Sequence, residues 1–454
     1  ANYFYNLPNF FAYDNIRIIK LLGGLEKNML KETIELLKKT YRFSDETLNI
    51  YEKAIKDVEE EFKMYDKIRE FNQLKILRAF QEERISDSHF TNSSGYGYGD
   101  IGRDSLDLVY AKVFNCEKAL VRPHFVNGTH AIGAALMGNL RPNNTMLTIT
   151  GTPYDTLHNI IGINCDESIG SLREYGVNYK QVDLLNGKID IEKVKEILKE
   201  DKSIKLVHMQ RSTGYGWRNS FLVDELEEAI KEVKSIRDDV IVFVDNCYGE
   251  LIDTKEPTDV GADLMAGSLI KNIGGGIAPT GGYIVGKAKY VDQASYRLTI
   301  PGIGGECGST FGVMRQMFQG LFLAPHIAIE AVKGAVFCAR VMELSGFEVL
   351  PKYNEKRSDI IQAIKFNDEE KLIKFCKGIQ KASPIDSFVE CEPWDMPGYN
   401  DKVIMAAGAF IQGSSIELSA DAPIRPPYIA YLQGGLTFDH AKIGVLVALN
   451  NIYK

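Results

Sequence analysis

The sequence has no C-x-x-C pair and no H-E-x-x-H run; its seven cysteines and seven histidines are scattered along 454 residues. That scatter excludes a disulfide framework or a structural zinc site as the basis of the fold and argues against a metal enzyme. Excess positive charge is also missing: 53 Lys and Arg stand against 61 Asp and Glu, a formal charge of −8. A nucleic-acid surface is therefore not expected. No apolar run approaches the roughly 20 residues that cross a bilayer. The opening ANYFYNLPNFFAYDN lacks the charged-then-apolar order of a secretion signal. These absences predict a cytoplasmic protein with neither membrane nor nucleic-acid partners. What is present is ordinary globular composition, 45% hydrophobic and 25% charged, in a chain long enough for two or three substructures.

Residues 24–90 read as a helical preface. Ser44 suits an N-cap, with Asp45 and Glu46 in the first turn. Leu48, Tyr51, Ile55, Val58, Phe62, Tyr65, Ile68, Phe71, Leu74 and Leu77 then recur every three or four positions. This predicts one long amphipathic helix whose single stripe serves as a dimer-forming arm. From Glu117 to Gly286 the rhythm changes. Ala119–Val121, Met146–Thr150, Lys205–Met209 and Val240–Val244 read as buried parallel strands, separated by helices such as Ile191–Leu198 and Val223–Ile236. Past Ala324 come a helix over Ile327–Leu344 and then mixed short elements. The expected division is an arm at 1–90, a large α/β domain at 91–325 and a smaller α+β domain at 326–454.

Chemistry concentrates in Asp263–Gly286, DLMAGSLIKNIGGGIAPTGGYIVG. Lys271 stands between an apolar run and five glycines, Gly274, Gly275, Gly276, Gly281 and Gly282. A lysine whose pKa is lowered by its surroundings forms Schiff bases, and glycines let a ring and a phosphate approach the backbone. Upstream, VIVFVDNCYGE ends a strand in Asp245, placed to face a pyridinium nitrogen. Asp, then Ser-x-x-Lys, then a glycine run is the layout of a pyridoxal phosphate enzyme.

Other residues extend this site. Ser268 either reaches a phosphate or caps its local turn. Gly128 and Thr129 open a small-residue helix whose first N–H groups suit an anion, although a plain tight turn explains N-G-T as well. Tyr154 follows a strand, at the edge where ligands gather in open α/β sheets, and its ring suits stacking on the cofactor. Arg211 or Ser212, in HMQRSTGYGWR, is placed to contact the cofactor's phenolic oxygen. The glycine- and tyrosine-rich run Ser93–Asp104 reads as a binding loop. Arg425, held between prolines in SADAPIRPPYIAYLQGG, suits a substrate carboxylate.

With these motifs assembled, the chain resembles the fold-type I pyridoxal phosphate enzymes of the aspartate aminotransferase superfamily. Within them it is most similar to the methionine γ-lyase-related family, also called cystathionine β-lyases involved in aluminium resistance. The resemblance is carried by GYGYGDIGRD, QRSTGYGWR, FVDNCYGE, AGSLIKNIGGGIAPTGGYI, PGIGGECG and SADAPIRPPYIAYLQGG. It implies Lys271 as the cofactor lysine, Asp245 as the partner of the ring nitrogen, Tyr154 as the stacking ring, and Gly128, Thr129 and Ser268 at the phosphate. Related lyases add a Tyr-x-Arg pair from the neighbouring subunit. Tyr96 matches that tyrosine, but Tyr98 stands where the arginine would be, facing the substrate.

The implied protein is a homodimer or homotetramer using pyridoxal 5'-phosphate to cleave a carbon–sulfur bond of a sulfur-containing amino acid. Transamination or another elimination is the rival on the same cofactor. A non-catalytic metal-tolerance protein is the rival of another class.

Overall fold

The computed structural model describes residues 32–163, 169–396, 399 and 401–454. The first part of the expected helical preface, 24–31, lies outside them. The described residues fall into two compact units, 32–53 and 54–454. In the first, Ser44 does cap its helix: its Oγ accepts the Thr47 N–H at 3.1 Å.

The expected single long helix is instead two, Asp45–Asp57 and Glu59–Glu82, separated at Val58, whose φ and ψ are −98° and 2°. The expected stripe is also divided. Within the larger unit, Tyr65, Asn72, Ile76 and Ala79 are buried, while Phe71 and Leu74 are 49% and 62% exposed. A 3.6-residue period drifts around the helix, so Asn72 takes an inward position. Its side-chain amide donates to the carbonyls of Leu251 and Asp253 at 3.2 and 3.0 Å.

A seven-stranded sheet organises the larger unit: β1 (Lys118–Arg122), β2 (Thr145–Thr148), β3 (Asn178–Gln181), β4 (Ile204–Gln210), β5 (Ile241–Asp245), β6 (Leu264–Ser268) and β7 (Gly282–Gly286). Its order is β1-β7-β6-β5-β4-β2-β3. Strands β3, β2, β4, β5 and β6 run parallel, while β7 is antiparallel to both β6 and β1. The reading of β1 as a parallel strand is thus corrected: its neighbour is the reversed β7. Successive residues point to opposite faces and build two cores. Val242 and Val244 pack with Leu106, Val194 and Leu226 on one side; Ile241 and Phe243 pack with Ala131, Leu157 and Val291 on the other.

A second, antiparallel sheet contains β8 (Glu348–Leu350), β9 (Gln362–Lys365), β10 (Val403–Ala407), β11 (Ser419–Pro423) and β12 (Ile429–Gln433), in the order β10-β11-β12-β9-β8. The architecture is therefore α/β with a mostly parallel sheet and a separate carboxy-terminal sheet. The helix expected over Ile327–Leu344 begins earlier, at Met314, and carries Pro325 inside it. By length and composition it is apolar enough to cross a membrane, contrary to the expectation that no such segment exists; 67% of its most apolar window is buried inside the protein. Gly275 explains how closely it packs. With φ +57°, an added Cβ there would lie 2.2 Å from the Gly320 carbonyl oxygen of this helix.

Candidate active site

The parallel strands deliver their chemistry at their carboxyl ends. β5 ends in Asp245, β6 ends in Ser268 with Lys271 in the following turn, and β4 runs into Ser212. On a neighbouring turn, helix Gly128–Asn139 begins, capped by Asn127, whose side-chain oxygen accepts the His130 N–H at 2.9 Å. First-turn N–H groups have no acceptor within their own helix, so this start is suited to an anion. Gly128 is required for the close packing there: a Cβ would approach the Ser268 Cβ to 3.0 Å and the Cys247 sulfur to 3.2 Å.

These residues share one cavity of about 810 Å³, its open mouth included. Gly128, Thr129, Tyr154, Ser212, Asp245, Ser268 and Lys271 all line it. Arg211 does not. It is fully buried, ion-paired with Glu256 at 3.2 Å and bonded to Ser358 and Asn246, both at 2.8 Å. The glycine run beside Lys271 is also absent from the wall. Gly274, Gly275 and Gly276 meet Leu269, Gly320 and Leu436, and Gly281 and Gly282 meet Arg122 and Ala131. The run serves internal packing, which corrects the expectation that it opens the backbone to a ring and a phosphate.

Lys271 holds its Nζ 3.8 Å from the centre of the Tyr248 ring, a cation–π contact. Burial opposes its charge and the neighbouring Asp245 carboxylate supports it, and the balance raises its pKa above the ordinary lysine value, contrary to the expectation of a lowered one. Asp245 is raised as well, chiefly by burial, against the Lys271 charge and a hydrogen bond from the Cys247 N–H at 3.1 Å. A cationic group beside this carboxylate would lower its pKa. Tyr154 is fixed at both ends. Its N–H donates to Gln210 at 2.7 Å, and its hydroxyl lies 2.8 Å from that of Tyr399.

The set suits pyridoxal phosphate: an anion-holding helix start with two hydroxyls, a buried carboxylate, an aromatic ring and an amine in one cavity. The buried Tyr215 hydroxyl, also in the wall, makes no hydrogen bond of ordinary length within the protein, and so offers a ligand a polar contact.

Three expected residues stand elsewhere. Tyr96 and Tyr98 are 68% and 71% exposed and stack on each other with ring centres 5.3 Å apart. Their loop is shorter than expected, since a helix already begins at Ile101, capped by Asp100. Arg425 is outside the cavity lining, and its Nη1 pairs with Asp401 at 2.8 Å. The cavity also contains residues the sequence reading passed over: Tyr215, Cys247, Tyr248, Asp421, Tyr431 and Gln433. Each lies inside a motif already singled out, and strand alternation is the signal that separates Asp421 from its neighbours.

The family model described as methionine gamma-lyase matches residues 47–453. A crystal structure from Clostridium acetobutylicum, of a protein whose name relates it to cystathionine beta-lyase and aluminum resistance, is 71% identical. The match covers 93% of this chain and 99% of that one, with a TM-score of 0.91. The structure of a carbon-sulfur lyase involved in aluminum resistance from Clostridium novyi NT is 69% identical, with the same coverage and a TM-score of 0.90. The Bacillus subtilis protein YnbB is 53% identical over 86% of this chain and 93% of its own length. At the level of fold alone, the pyridoxal-5'-phosphate-dependent protein YhfS from Escherichia coli matches 84% of this chain and 95% of its own. Its identity is 16% and its TM-score 0.57.

Proposed function

Because the chain belongs to the methionine gamma-lyase family, we propose that it is a pyridoxal 5'-phosphate-dependent carbon–sulfur lyase. Its substrate in this reading is a sulfur-containing amino acid such as cystathionine, cysteine or methionine. The observation that carries the reading is the convergence of Lys271, Asp245, Tyr154, Ser268, Ser212 and the Gly128–Thr129 helix start on one cavity. Bound there, the cofactor supplies an electron sink that makes the Cα proton of an amino acid labile.

The residues divide the work. Gly128, Thr129 and Ser268 hold the phosphate, joined by Tyr96 of a second copy of the chain. Asp245 keeps the ring nitrogen protonated, Tyr154 stacks on the ring, and Ser212 contacts its phenolic oxygen. Lys271 would hold the cofactor and take the Cα proton, and Lys271 or a nearby tyrosine would give a proton to the departing sulfur. Arg425 holds the substrate carboxylate after releasing Asp401; its charge is already felt by Tyr431 in the cavity wall. Tyr98 faces the substrate. The functional division remains the arm at 1–90, the cofactor domain at 91–325 and the small domain at 326–454, with the last boundary inside helix Met314–Leu344. We place the enzyme in the cytoplasm as a homodimer or homotetramer.

The test is turnover of a panel of amino acids, following thiol, ammonia and keto acid together. Equal yields of all three support the lyase. Keto acid without thiol or ammonia, accompanied by transfer of the amino group to a second keto acid, refutes it in favour of transamination.

A further inference from the structure

The cavity wall formed by the carboxy-terminal sheet is acidic. Asp421 of β11 pairs with Tyr431 of β12, and Ser419 pairs with Gln433. Directly opposed strand residues point to the same face, and residues two apart share it. Asp421, Tyr431 and Gln433 accordingly look into the cavity together. The Gln433 amide donates to Asp421 Oδ2 at 2.9 Å. No Lys, Arg or His nitrogen lies within 4.0 Å of the Asp421 carboxylate among the described residues, Lys271 included. Lys271 is nevertheless near enough for its charge to favour the Asp421 anion. The cavity lining thus holds one cation, Lys271, and two carboxyl groups, Asp245 and Asp421.

A second observation points to a ligand at the same place. The buried Tyr215 hydroxyl makes no hydrogen bond of ordinary length, yet lies close enough to Asp421 to stabilise its carboxylate. Its ring stands 5.1 Å from Tyr431 and 5.4 Å from Tyr154, centre to centre. A carboxylate half-enclosed by aromatic rings, with an amide donor but no cation against it, is a costly arrangement unless a ligand supplies the charge. Electron-rich rings around it favour the same kind of ligand. Burial pushes the Asp421 carboxyl up to about 6, so it still carries its charge at neutral pH.

We propose that Asp421 and the Tyr215 hydroxyl form a subsite for a second ammonium group of the substrate, remote from the α-amino group that reacts at Lys271. The substrate class is then a thioether amino acid with a distal amine, and not an alkyl thioether. This rests on the lyase reading and narrows it. It gives the Tyr215 hydroxyl oxygen an N–H donor and the unpaired carboxylate a counter-charge. It also leaves the α-carboxylate to Arg425.

The discriminating pair of ligands is S-(2-aminoethyl)-L-cysteine and S-propyl-L-cysteine, which match in length and differ in one terminal ammonium. Rapid mixing with the cofactor-loaded enzyme, read by the cofactor's absorbance before turnover, gives a dissociation constant for each. The aminoethyl compound should bind about tenfold tighter or more, the scale of a charge-assisted hydrogen bond. Asp421→Asn should bring the ratio to near one, and Tyr215→Phe should lower it in part. A ratio near one in the unaltered enzyme, or one that survives Asp421→Asn, overturns the subsite and leaves the lyase reading standing. The unaltered enzyme's ratio decides by itself if the Asn variant does not fold. If neither ligand changes the cofactor spectrum, the lyase reading falls and the subsite falls with it.

Discussion

Asp245 and Lys271 reach the cavity from the ends of adjacent strands, and each has its charge set by the other and by burial. Under the proposed chemistry, Asp245→Asn should retain the cofactor but lower turnover by several orders of magnitude, because an amide cannot hold the ring nitrogen protonated. Near-normal rates in that variant would give the role to another group. Arg425 offers a contrasting case. Arg425→Ala should weaken amino-acid binding by about one to two orders of magnitude with cofactor occupancy unchanged, the scale of a charge-assisted pair. Titrating the cofactor spectrum with substrate distinguishes this from loss of the cofactor itself. At this scale the motifs were legible, but the role of each letter within them was not. SADAPIRPPYIAYLQGG drew attention to Arg425 because arginine recognises carboxylates, yet its cavity-lining members are Asp421, Tyr431 and Gln433. Only the pairing register of β11 with β12 reveals which residues look inward.

Among the elements, β4 and β5 were readable because both faces are buried and the runs are apolar. β3, with its polar Asn178–Gln181, was not, since the sequence of an edge strand carries little hydrophobic signal. The helix Met314–Leu344 extends well before the expected Ile327 start and runs through Pro325. The glycine run after Lys271 serves close internal packing and does not line the cavity. Gly275→Ala should destabilise the protein by about 1–3 kcal/mol, the scale of core overpacking; an unchanged urea midpoint would refute the close-packing account.

The turn after β5 carries a pH signal. Burial raises the Glu250 carboxyl to about 8, the Tyr283 hydroxyl donates to one oxygen at 2.8 Å, and the other oxygen has no partner. A carboxyl raised on folding holds its proton more tightly in the folded state. Its contribution is complete below the unfolded value near 4.5 and is lost as pH rises through about 8. Asp421, raised to about 6, acts in the same direction. Urea midpoints measured from pH 5 to pH 8 should show a fall attributable to Glu250, and Glu250→Gln should flatten it. An identical pH profile in the variant would contradict this assignment.

At the level of the molecule, the composition told of a globular protein, the alternation of apolar strands with helices told of an α/β fold, and order among the motifs told of its family. How copies assemble is a proposal. Phe71 and Leu74 on helix Glu59–Glu82, and Tyr96 and Tyr98 before helix Ile101–Val113, expose large apolar area. Light scattering should report a dimer or tetramer as the active species; a fully active monomer at working concentration would contradict both the arm and the shared phosphate site. The central claim is that the cavity around Lys271 is a pyridoxal phosphate site with that lysine as its covalent anchor. It is tested most directly by borohydride reduction of the yellow cofactor-loaded protein, followed by peptide mass mapping. The account predicts a single pyridoxyl adduct on Lys271, lost in Lys271→Ala together with turnover. A specific adduct on another lysine, or full turnover in the Ala variant, would contradict it.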